Sequence, residues 1–162
     1  MERQNSVYVR MLEDVLKKKE HLLRDILERT REQEALLKQE ELDQERFHEI
    51  LEEKGRWIET LNEMDEGFDT LFAKVESEIR SHKDQYKENI QRMQKSIVIV
   101  SEYGMKIQAL ENQNSERLKA YLATERKKIR EYHMNSQTAS RYYRNMTNTH
   151  IPEQSFYFNQ KK

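Results

Sequence analysis

The sequence predicts an all-α protein, an elongated antiparallel three-helix bundle of coiled-coil character with a flexible C-terminal tail. Three observations lead there. Glycine occurs 3 times and proline once in 162 residues, which leaves almost nothing to build the turns of barrels, sandwiches or α/β folds. Hydrophobic residues make up 35% and charged residues 36% of the chain, with a mean hydropathy of -1.12. That is too polar for a compact globule, but it suffices for helices that each bury one stripe. Apolar side chains also recur by threes and fours along three long segments, as they do on one face of a helix.

The first segment opens near Asn5 or Ser6, either of which suits an N-cap. Leu12, Val15, Leu16, Leu22, Leu23, Ile26, Leu27, Leu36 and Leu37 follow at helical spacing, interrupted by Lys19, Thr30 and Gln33. This predicts a helix over 5–39 that fades toward Leu42. Asp43 is placed to cap the next helix, and Glu45 suits its first turn.

The second segment, predicted over 43–80, is the most regular. Phe47, Leu51, Lys54, Ile58, Leu61, Met64 or Asp65, Phe68, Phe72, Val75 and Ile79 alternate by threes and fours. Gly67 lies inside this pattern without shifting its phase and reads as a tolerated helical glycine, costing roughly 1 kcal/mol relative to Ala. Trp57, Phe68 and Phe72 read as core.

The third segment, predicted over 84–133, carries Tyr86, Ile90, Met93, Ile97, Val100, Gly104, Ile107, Asn114, Leu118 and Tyr121. Ser81 and Asp84 have capping-box spacing, although the same pattern also falls in mid-helix at Thr30 and Thr60. Ile79 and Tyr86 are seven apart, a step that one continuous helix also allows. A turn near Ser81–Lys83 is preferred, because an unbroken helix could pair with the first over only part of its length. Residues 1–133 are therefore read as the bundle. Residues 134–162, rich in Asn, Ser, Gln and Thr, are read as the tail.

Lys and Arg number 29 against 30 for Asp and Glu, and no clustered basic face points to nucleic acid. No stretch approaches the length of a membrane span. Met1-Glu2-Arg3-Gln4-Asn5 lacks the apolar core of a secretory signal, and cysteine is absent. The expected compartment is the cytosol. No catalytic constellation emerges, so the chain is not expected to be an enzyme or to need a cofactor. Glu45 and His48 match the Glu-x-x-His pair of di-iron bundles. That site needs a second such pair, which the sequence lacks. The third segment has apolar groups on more than one face. Ile97, Val100, Ile107, Leu110, Asn114, Leu118 and Leu122 are thus expected to receive a partner's amphipathic helix. Tyr142, Tyr143, Phe156, Tyr157 and Phe158 have no stripe to join, which suits aromatic docking groups in the tail.

Three stretches carry a family resemblance. They are Leu36-Leu37 through Asp43, Phe47, Lys54 and Leu61; Ile107-Gln108-Ala109-Leu110-Glu111-Asn112-Gln113-Asn114; and Tyr142-Tyr143 followed by Phe156-Tyr157-Phe158-Asn159-Gln160-Lys161-Lys162. In order and spacing they resemble the FlgN-type chaperones of flagellar protein export, with Asn159 standing where an acidic residue is expected. The resemblance implies a cytoplasmic bacterial chaperone for the proteins that join hook to filament. It would keep their terminal helices apart and deliver them to the export gate, which Tyr142 or Tyr143 would contact. A competing expectation is a self-associating coiled-coil scaffold whose stripes are buried by identical copies, a homodimer being the simplest form.

Overall fold

Burying one apolar stripe per helix requires the helices to face one another, and the chain does this with three. The computed structural model describes residues 2–125. It contains α1 (Glu2–Leu37), α2 (Gln44–Ser81) and α3 (Lys87–Thr124), with no strand among the described residues. The fold is an all-α three-helix bundle.

The helix ends differ in detail from the sequence reading. α1 starts at Glu2, so Asn5 and Ser6 lie inside it and cap nothing. The residues before them are ordinary helix formers, and nothing obliges the helix to start later. α1 ends at Leu37, where Gln39 N–H donates to Leu36 O in a tightened last turn. α2 starts as expected. Asp43 is its N-cap, with Oδ1 accepting from Arg46 N–H at 3.1 Å and its carbonyl from Phe47 N–H at 3.0 Å. Ser81 is the last residue of α2 and starts no helix. The link runs over His82–Tyr86, and α3 begins at Lys87, three residues later than the capping-box spacing suggested. The expected end of the third helix at 133 and the whole tail lie outside the described residues.

The chain groups into two compact units, each drawing on all three helices. The first combines the described part of Met1–Leu23 with Thr60–Gly104. Its core holds Val9, Leu12 and Leu16 from α1, Phe68, Phe72, Val75 and Ile79 from α2, and Met93 and Ile97 from α3, with Tyr86 of the link packed among them. The rings of Phe68 and Phe72 stack with centroids 6.2 Å apart. This cluster needs a hairpin at the link, because a continuous helix would carry Met93 far from Phe68.

The second unit combines Arg24–Glu59 with the described part of Met105–Thr149. Ile26, Leu27, Leu42, Phe47, Ile50, Leu51, Ile58, Ile107 and Leu118 are buried there. Its ion pairs give the helix directions. Arg29 of α1 meets Glu53 of α2, and Glu32 meets Arg46, so the numbers run oppositely. α3 runs with α1, since Thr30 meets Glu111 and Glu34 meets Arg117.

Candidate functional site

The α3 residues expected to receive a partner helix face inward. Ile97 and Val100 are buried in the first unit, and Ile107, Asn114 and Leu118 in the second, while Leu110 and Leu122 are half-buried. The expectation took surplus apolar content for surplus surface. Ile97, Val100, Ile107, Asn114 and Leu118 occupy positions spaced by threes and fours with Tyr86, Met93 and Glu111, which are also buried. The groups on α3 that do reach solvent lie off that stripe. Val98 is 56% exposed in the first unit and Met105 71% exposed in the second. Tyr142, Tyr143, Phe156, Tyr157 and Phe158 lie outside the described residues.

The polar side chains on the stripes, and those that seemed to interrupt them, are core residues. Lys19 and Thr30, Gln33, Lys54 and Asn114 are fully buried. In the first unit the Lys19 ammonium donates to Asp65 Oδ1. Burial lowers the Lys19 pKa from its ordinary 10.5, and the Asp65 carboxylate works against that shift. In the second unit Lys54 Nζ donates to Thr30 Oγ1, Gln33 Oε1 and Glu111 Oε1, one acceptor for each of its three protons. Asn114 Nδ2 donates to the Thr30 carbonyl at 3.1 Å, and the Thr30 hydroxyl lies within reach of Ile26 O and Glu111 Oε1. Burial pulls the Lys54 pKa down to about 8, with the Glu111 charge pulling the other way.

For Lys19 and Gln33 the missed signal was the same in-phase spacing that placed Lys54 on its stripe. Lys19 stands seven before Ile26, Gln33 seven after it, and Lys54 seven before Leu61, all in phase with the apolar set. A long charged residue exactly in phase with the stripe reads as a polar layer, and the partner it needs must come from another helix. Asp65 and Glu111 are those partners, and nothing local to either lysine names them.

The Glu45 and His48 pair does not converge with further ligands. His48 Nε2 lies 3.0 Å from Glu52 Oε1, and among the described residues no group of three potential ligands gathers. No described helix is long and apolar enough to cross a membrane. No protein-family model, curated protein or solved structure matches the chain.

Proposed function

We propose that this chain is a cytoplasmic export chaperone of the FlgN type. It holds the amphipathic terminal helices of hook–filament junction proteins, keeps them from associating early and hands them to the flagellar export gate. The ordered motifs described above support this reading. So does one structural observation, that α3 carries outward apolar groups in addition to its buried stripe. Val98 and Met105 are those groups. Exposed valine and methionine suit a guest helix, methionine especially, because its flexible thioether adapts to varied partners. The tail tyrosines and terminal aromatics then serve the gate.

The outward position of these groups makes the test clean. Val98→Glu combined with Met105→Glu should remove capture of purified hook–filament junction proteins while circular dichroism stays unchanged. Charging Ile107 or Leu118 is not diagnostic, because both are buried and the bundle itself would suffer. Undiminished capture by the folded double variant would place the client elsewhere. Deleting residues 134–162 should leave client affinity unchanged and remove gate binding. A clear rise in client affinity on deletion would mean instead that the tail covers the client surface.

A further inference from the structure

We propose that the α2–α3 link is a hinge, and that this chain forms a dimer in which two copies exchange α3. The two links of the bundle are built differently. The first has a dedicated stop, Asp43, whose side chain caps α2. The second, His82-Lys83-Asp84-Gln85, contains neither glycine nor proline, and no described residue has a positive φ. Helices commonly end in a left-handed glycine that commits the chain to turn. Neither link has one, so what distinguishes the two is the Asp43 cap of the first.

Its hydrogen bonding is already partly helical. His82 N–H donates to Glu78 O at 3.0 Å, Tyr86 N–H to His82 O at 3.3 Å and Ile90 N–H to Tyr86 O at 2.8 Å, all with a four-residue reach. Gln85 N–H donates instead to His82 O at 3.1 Å, and the Lys83 and Asp84 amides make no such four-residue bond, so the helical ladder is interrupted there. The four link residues before Tyr86 are exposed, so extending the helix through them buries no charge. The buried stripe also runs through in phase, because Ile79 and Tyr86 are both buried and seven residues apart. A helix passing straight from α2 into α3 would keep Phe72, Ile79, Tyr86 and Met93 on one face.

Every contact that α3 loses on opening can be remade by α3 of a second copy. Glu111 would meet the other copy's Lys54, Arg92 its Glu13, Arg117 its Glu34, and Tyr121 its Gln44, each pair already present within one chain. Exchange of an identical element needs no new complementary surface, which makes it a low-cost route to a dimer. Opening breaks the cores, so exchange is slow in the folded protein and is decided during refolding.

The test is refolding of the full chain from urea over a range of concentrations, followed by size exclusion with light scattering. The expected result is a dimer whose share rises with refolding concentration and persists after dilution. Inserting Gly-Gly after Asp84 lengthens the loop, which a hairpin tolerates, but shifts the phase of a continuous helix. That variant should refold as monomer only. A double variant, Gln44→Cys with Tyr121→Cys, distinguishes exchange from side-by-side pairing, because the wild-type chain has no other cysteine. A short bis-maleimide should link the two cysteines within one chain in the monomer and between chains in the dimer. Monomer at every concentration would overturn the proposal. So would a dimer that survives the Gly-Gly insertion or cross-links only within chains.

Discussion

Lys54 has three hydrogen-bond acceptors and lies wholly out of solvent, where a charge is tolerated only with its partner. Lys54→Met alone leaves the Glu111 carboxylate buried without its cation and should cost about 3–5 kcal/mol of stability. Adding Glu111→Leu should recover most of that loss, because replacing both members of a buried pair by apolar groups is often neutral or stabilising. Urea unfolding of the wild type and the single and double variants measures both effects. The pH dependence follows from the same residue. Native Lys54 gives up its proton near pH 8, whereas in the unfolded chain it holds it to its ordinary value of 10.5. Between those values the unfolded state binds more protons, so this site's contribution to stability rises with pH across the window. The wild type should therefore gain stability relative to the Lys54→Met/Glu111→Leu variant on going from about pH 7 to about pH 10. Lys19 shifts in the same direction but is present in both proteins, so its effect cancels in the comparison.

The helices themselves owe their boundaries to a few local devices. Asp43→Ala removes the acceptor of the Arg46 amide and should destabilise the bundle by about 0.5–2 kcal/mol in thermal or urea unfolding. Gly67 is the opposite case. It lies in α2, and a Cβ built there meets nothing within 4 Å. Gly67→Ala should thus stabilise by roughly 0.5–1 kcal/mol, because alanine loses less backbone freedom on folding. A loss of stability in that variant would mean that this face of α2 is in contact with something. The many ion pairs on the helix surfaces, such as Lys119 with Glu116, contribute little singly, since both partners are exposed.

For the molecule as a whole, α1, α2 and α3 comprise 36, 38 and 38 of the 162 residues. Far-UV circular dichroism of the full chain should accordingly show well over half helix, and a value below half would contradict the fold. Among the described residues, the buried layers of both units are formed by residues between Val9 and Leu118. A chain ending at residue 133 should keep its helicity and melting temperature, and any function lost with the tail would then be a loss of binding.

Composition and spacing by themselves determined the class, the number of helices, the Asp43 cap and most of the core, because an amphipathic stripe is a local property of the chain. The same stripe misled where position mattered. Ile97, Val100, Ile107 and Leu118 were read as available to a partner, whereas α1 and α2 already cover them. A hydrophobic count cannot distinguish a face that is covered from one that is not. Lys19 read as a flaw for a related reason: a buried lysine is acceptable only when a carboxylate distant in sequence is opposite. The pairing of Lys54 with Glu111 and of Lys19 with Asp65 is set by how the helices register against one another. That register depends on the energies of all three helices together, and so only the tertiary structure decided it.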